Sequence, residues 1–173
     1  MEHEGGLVND PDDPGGITKY GISLRTLKAL GEVDADLDGH ADYDFTGDGA
    51  IDADDIRDLA WEDAQAFYYQ EFWRKYRYGE LPARIGGKVF DLSVNMGPLQ
   101  AHKCLQRAIR AAAVANFTDD GILGPQTIRW CRTLGNDLLW PLRSEAAGFY
   151  RALAAAKPVF NKYLKGWLNR AYS

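Results

Sequence analysis

The chain has 173 residues, 46% of them hydrophobic, which is enough length and apolar content to bury a real core in one domain with a closely packed extension. No apolar run approaches the ~20 residues that span a bilayer. The opening MEHEGGLVND lacks the basic region and apolar stretch of a secretory signal. The expectation is therefore a chain made in the cytoplasm and carried to its place of work by another route.

In chain order, residues 1–23 are rich in Gly, Pro and Asp and read as loop or short hairpin around a functional segment. Residues 24–30 read as a short helix, with Ser23 as N-cap and Gly31 as stop. An Asp-rich stretch, 34–55, precedes a long helix predicted over about 53–73, with Ile56, Leu59, Ala60, Phe67 and Phe72 on its apolar stripe. Leu81-Pro82 and Gly86-Gly87 are predicted breaks. Helical patterns follow at 86–96, ending at Gly97-Pro98, and at 99–113, with Leu105, Ile109 and Ala112 on one face. A turn at Asp119-Asp120-Gly121 leads to Gly124-Pro125, where proline suits the first helical position. Further helices are expected over about 137–156 and from Pro158 onward. No alternating strand pattern exceeds a few residues, so the fold class is mainly α. Cys104 and Cys131 lie among apolar neighbours without a CxxC or Cys/His cluster and read as buried thiols.

The net charge of −5 is unevenly placed. Residues 34–55 hold nine aspartates and no Lys or Arg, whereas the segment from Arg74 onward holds 16 Lys and Arg against 6 Asp and Glu. A basic surface suits an anionic polymer such as wall glycan, nucleic acid or a lipid surface. The basic residues are spread over several predicted helices with no dense run and no recognition-helix pattern, which argues against nucleic acid.

The string HEGGLVNDPDDPGGITKYGIS gathers glycines, prolines and carboxylates in a loop whose ordering costs entropy unless a function or packing site requires it. Glycoside hydrolysis needs an acid for the leaving oxygen and a second carboxylate that activates water or attacks the sugar. Glu4 beside Gly5-Gly6 offers a carboxyl where backbone is small enough for a sugar to approach. Asp13 follows nine residues later, and Thr18 has a hydroxyl that could hold water. On spacing alone the signal is weak, because Asp in a Pro/Gly loop is usually a turn residue.

The run EGG-x-VNDPDDPGG-x-TKYGIS resembles the N-terminal signature of glycoside hydrolase family 108, the phage and prophage N-acetylmuramidases. AWEDAQAFYYQEFW resembles the helix that follows it. VFDLSVNMGPLQAHKCLQRAI and DDGILGPQTI resemble the C-terminal region described as a predicted peptidoglycan-binding domain. The resemblance implies a mainly α, lysozyme-like helical domain that hydrolyses the β-1,4 bond between N-acetylmuramic acid and N-acetylglucosamine. It implies Glu4 as the catalytic acid. Similar phage lysozymes follow the glutamate with an aspartate nine residues on and then a threonine; Asp13 meets that spacing and Thr18 sits about one residue closer. The family usually carries a helix before the EGG motif, whereas three residues precede it here: either the chain is truncated or its start is unusual, and an acid without that helix is expected to be loosely held. An acid that keeps its proton near neutral pH calls for an apolar wall, with Asp13 wetter and ionised; Tyr20, Trp73 and Tyr76 are candidates for that wall or for stacking on sugars. Asp91 and Asn95 lie one turn apart and share a helix face that could line a substrate groove.

Residues 44–55 fit a calcium loop: Asp44 at position 1, Thr46 at 3, Asp48 at 5, Gly49 at the turn position 6, the Ala50 carbonyl at 7, Asp52 at 9 and Asp55 at 12. A half-pattern precedes it with Asp34, Asp36, Asp38, Gly39, His40 and Asp42, and with Phe45 where a twelfth-position acid belongs. The loop resembles an EF-hand or dockerin-type site, and structural calcium is the expected cofactor. The alternative is a solvated acidic loop.

Residues 1–80 thus form the expected catalytic part, including the 34–55 insertion, and 81–173 the helical region resembling a peptidoglycan-binding unit. The expected partner is the peptidoglycan glycan strand, acted on by a monomer without nucleic acid or a transmembrane segment. Two other readings stand beside muramidase: a lytic transglycosylase, which uses one glutamate and no water, and a non-catalytic wall-binding module ordered by calcium.

Overall fold

The computed structural model describes residues 6–9, 16–31, 34, 37, 39, 41–113 and 116–173. The chain forms two compact units, Met1–Phe67 and Tyr68–Ser173. As expected, the described structure is mainly α-helical.

In the first unit, strands β1 (Thr18–Lys19) and β2 (Ile22–Ser23) make an antiparallel hairpin in the register Thr18 to Ser23 and Lys19 to Ile22. Tyr20 and Gly21 form its two-residue turn, with φ of 52° and 79°; two successive positive φ values suit the right-handed twist of the flanking strands. Helix α1 (Leu24–Leu30) begins as the sequence indicates, the Ser23 hydroxyl accepting from the Thr26 amide, and stops at Gly31 with φ 76°. The apolar side chains of Ile17, Ile22, Leu27, Ile56 and Leu59 are buried.

The helix expected over 53–73 is not continuous. It divides into α2 (Ala53–Asp58), α3 (Trp61–Tyr68) and a π-helical segment, Tyr69–Arg74. The break falls at Leu59, whose backbone is extended (φ −45°, ψ 113°) while its side chain is fully buried. A new helix start follows because the Asp63 carboxylate accepts the Ala60 amide hydrogen at 2.9 Å, satisfying one of the donors a helix start leaves unpaired.

The second unit is a helical bundle. Its α4 (Ala83–Met96), α5 (Pro98–Ala112), α6 (Pro125–Leu134), α7 (Leu139–Ala156) and α8 (Asn161–Tyr172) enclose a core that includes Ile85, Leu92, Leu105, Ile109 and Leu142. Helix α5 packs on α4 and α7, and α7 packs on α8. Cys104 and Cys131 are free and buried, and burial pushes the Cys131 thiol up to about 12.

The predicted break at Gly86-Gly87 is corrected: α4 runs through both glycines. A Cβ on Gly86 would lie 2.6 Å from the Tyr78 carbonyl oxygen, whereas one on Gly87 would meet nothing within 4 Å. The first glycine therefore serves close packing of α4 on the Tyr78–Glu80 3₁₀ turn.

Tyr78 and His102 are the polar centre of this core. The Tyr78 hydroxyl lies 2.8 Å from His102 Nε2, and His102 Nδ1 lies 2.9 Å from the Gly121 carbonyl oxygen. A carbonyl only accepts, so Nδ1 carries the hydrogen and Nε2 accepts from tyrosine, which makes the imidazole neutral. Burial lowers its pKa, an effect larger than the opposing carbonyl contact.

Two predictions follow from this packing. Gly86→Ala should destabilise the chain by about 1–3 kcal/mol through overpacking, while Gly87→Ala should stabilise it by about 0.5–1 kcal/mol through helix propensity; denaturant unfolding checks both. Below pH 6.5, the ordinary histidine value, the unfolded chain takes up a proton that buried His102 refuses. Stability should then be full above pH 6.5 and fall as pH drops below it. His102→Gln should flatten that slope in unfolding curves measured between pH 7.5 and 5.

Candidate active site and acidic loop

The segment after Gly5 joins the hairpin through Val8, which pairs with Thr18 by two backbone hydrogen bonds of 2.8 Å. This pairing makes a third extended segment beside β1, although Leu7 and Val8 are themselves exposed. Thr18 is half-buried, and its hydroxyl donates to the Gly16 carbonyl at 3.1 Å. The oxygen of that hydroxyl keeps its lone pairs for accepting from water. Glu4 and Asp13 lie outside the described residues.

Tyr20 sits at the hairpin turn with its ring edge-on to Trp61, 5.4 Å between centroids. Lys19 reaches over the Tyr20 ring at 5.7 Å and donates to the Arg57 carbonyl at 2.5 Å. Trp61 is an aromatic partner the sequence reading passed over; its position at the start of AWED, next to the hairpin in the fold, was the available signal. Trp73 and Tyr76 belong to the second unit, where Trp73 packs on Tyr78 and Phe90 and Tyr76 stacks on Tyr78. They are core aromatics there.

Asp91 and Asn95 do share one face of α4, and both have partners within the bundle. Asp91 pairs with Lys88 at 3.2 Å and with Arg170 at 2.5 Å, and buried Lys88 also donates to the Arg170 carbonyl. Asn95 Oδ1 accepts from the Tyr150 hydroxyl at 2.7 Å. These contacts tie α4 to α7 and α8. The Asn95 residue remains exposed.

In the acidic loop, the Asp44 carboxylate faces inward. Its Oδ1 accepts from the Gly47 amide at 2.8 Å and its Oδ2 from the Gly49 amide at 2.7 Å. Burial raises the Asp44 pKa, but those amides together with Thr46 and Asp48 outweigh it and hold the group below the usual carboxylate value. Thr46 Oγ1 lies 3.2 Å from Asp44 Oδ1 and 3.3 Å from Asp55 Oδ1, so positions 1, 3 and 12 converge. Asp55, fully buried, also accepts from the amides of Thr46 and Asp52, forming a capping box with Asp52 at the start of α2. Asp48 accepts the Ala50 amide and is exposed.

The half-pattern repeats part of this geometry. The Asp34 carboxylate accepts the Gly39 amide at 3.1 Å, as Asp44 does for Gly49, and the two glycines have φ of 98° and 90°. A cavity of about 230 Å³ lies between the loops, lined by Asp34, Gly39, Ala41, Asp44, Gly49 and Ala50. Asp42 is exposed, and Asp36, Asp38 and His40 lie outside the described residues. Among the described residues no three His, Cys, Asp or Glu side chains come together as a ready metal cage.

The family model of glycosyl hydrolase 108 matches residues 1–97, and that of a predicted peptidoglycan domain matches residues 100–172. Among solved structures, Brucella abortus SagA is similar, with 27% identity and a TM-score of 0.71 over 97% of this chain and 82% of that one. Among curated proteins none matches significantly. No helix among the described residues is long and apolar enough to cross a membrane. The match over more than half the chain, on the segment that carries the EGG string and the hairpin, places this protein in the glycosyl hydrolase 108 family, as a glycoside hydrolase acting on peptidoglycan.

Proposed function

We propose that this peptidoglycan hydrolase cleaves the β-1,4 bond between N-acetylmuramic acid and N-acetylglucosamine, with Glu4 as its acid. Glu4 gives its proton to the oxygen of the departing sugar. Asp13 is the second carboxylate, and the Thr18 hydroxyl holds a water for the reaction. The observation that carries this reading is the family match across 1–97, on a segment in which Val8 pairs with Thr18 of the hairpin. The pair Tyr20 and Trp61 supplies aromatic surface in the same unit for an apolar sugar face.

General acid catalysis contributes about 10²–10⁴-fold to such reactions. Glu4→Gln should lower turbidity loss of purified peptidoglycan by at least about a hundredfold, with the wild-type products ending in hydrated muramic acid by mass spectrometry. Lysis by the variant at the wild-type rate would exclude Glu4 as the acid. Products ending in 1,6-anhydromuramic acid would make the enzyme a transglycosylase.

The 44–55 loop, in this reading, takes a calcium ion. Its support is the convergence of Asp44, Thr46 and Asp55 oxygens and the turn at Gly49. The ion would supply charge neutralisation to a stretch of nine aspartates, and the residues to hold it are Asp44, Thr46, Asp48, the Ala50 carbonyl, Asp52 and Asp55. The shared cavity with Asp34 and Gly39 gives the half-pattern a role in the same site or a weaker neighbour. Because a ligand that binds only the folded chain stabilises it by about 2.7 kcal/mol at a hundred times its Kd, millimolar Ca²⁺ should raise the melting temperature relative to EDTA. Asp44→Asn should remove that rise; an unchanged melting temperature in the wild type would eliminate the site.

A further inference from the structure

The second unit carries a cleft that neither the sequence pattern nor the hydrolytic reading uses. It measures about 390 Å³, within the range of small-ligand pockets, and lies between the Tyr78–Glu80 turn and helix α6. One wall supplies Arg77 and Glu80. The other supplies Ile128, Arg129, Arg132 and Thr133, of which 129, 132 and 133 share a helix face at spacings of three and four.

Its charge is organised around Glu80. Arg77 Nε lies 2.5 Å from Glu80 Oε1, Arg132 Nε donates to the Glu80 carbonyl at 3.0 Å, and Arg132 Nη2 stands 3.8 Å from Glu80 Oε2. Arg77 holds this place from a left-handed backbone conformation, φ 60°, which costs a non-glycine residue about 1–2 kcal/mol. One carboxylate thus orients two guanidinium groups. Arg129 makes no ion pair among the described residues. Three cations around one anion leave the cleft positive, with the buried Ile128 side chain as an apolar floor.

We propose that this cleft receives the carboxylates of the peptide stems attached to the glycan strand. The inference rests on the peptidoglycan reading and names the part of the polymer the second unit recognises. Guanidinium forks match carboxylate geometry in paired hydrogen bonds, and an apolar floor suits the small alkyl groups of a short peptide. A nucleic acid would call for a basic track with aromatic faces for bases, whereas this is a single concavity with a carboxylate in its wall.

The test is brief cosedimentation on ice of the full chain with two preparations: intact sacculi, and sacculi stripped of peptides by an amidase. The stripped strands keep a lactyl carboxylate on each muramic acid, which separates that source from the stems. The wild type should bind intact sacculi about tenfold more tightly than stripped strands, and Arg129→Glu should lose that margin while Arg129→Lys recovers part of it. Equal melting temperatures for the variants exclude a folding defect. Equal wild-type binding to both preparations, an Arg129→Glu margin like that of the wild type, or an equal loss on both would overturn the stem assignment while leaving wall binding in place. Absence of wild-type binding to either preparation would remove the peptidoglycan reading itself, and the stem assignment with it.

Discussion

The second unit is organised by one neutral imidazole. His102 accepts from Tyr78 on one side and donates to the Gly121 carbonyl on the other, so a single ring fixes the 78–80 turn and the loop that delivers the chain to α6. The turn supplies one wall of the arginine cleft, and α6, into which the loop leads, supplies the other. Around His102, Gln106 holds the same loop by accepting the Gly121 amide at 2.7 Å and donating to Asp120 at 2.7 Å and to the Ile122 carbonyl at 3.0 Å. Asp119 closes the set with Arg107 and Arg110. Glycine suits position 121 because its φ is 79° and a Cβ would stand only 3.0 Å from the Leu99 carbonyl oxygen. The DDGILGPQTI string is therefore scaffold. It sets where Arg129 and Arg132 stand.

Much of this was legible in sequence where a local rule decides the outcome. Ser23 capping α1, Gly97-Pro98 dividing α4 from α5, and Gly124-Pro125 opening α6 are all governed by residues within a turn of each other. The failures have a common cause in distant partners. Gly86-Gly87 looks like a break until the Tyr78 carbonyl is placed against it. Leu59 continues an apolar stripe, and only its burial in an extended conformation reveals the interruption. Asp91 and Asn95 were correctly set on one face, but Arg170 and Tyr150, 79 and 55 residues away, are the groups they meet.

The candidate sites divide in the same way. Position-by-position agreement with a calcium loop is a local property, and the inward turn of Asp44 and Asp55 follows it. The arginine cleft is assembled from residues some fifty apart, as the Arg132–Glu80 carbonyl contact shows. In the sequence those arginines appear scattered. The one local hint was the Arg129, Arg132 and Thr133 spacing on a helix that starts after a proline.

Charge divides between the units more sharply than between the halves of the sequence. Residues 1–67 hold 18 acidic against 4 basic residues, and residues 68–173 hold 7 against 16, which gives −14 and +9. An acid that must keep its proton is favoured by surrounding negative charge and hindered by nearby cations. Of the four cations in the first unit, Lys19 is spent on a backbone carbonyl and Arg57 on Asp54. The same negative charge would repel an anionic wall. Since exposed charges act over only about 8–10 Å in salt, that repulsion is not cancelled by the average of the whole chain; it requires cations that themselves touch the polymer. A basic second unit with oriented guanidinium groups can supply such cations, and a chain with the same composition evenly mixed would not concentrate them in one unit.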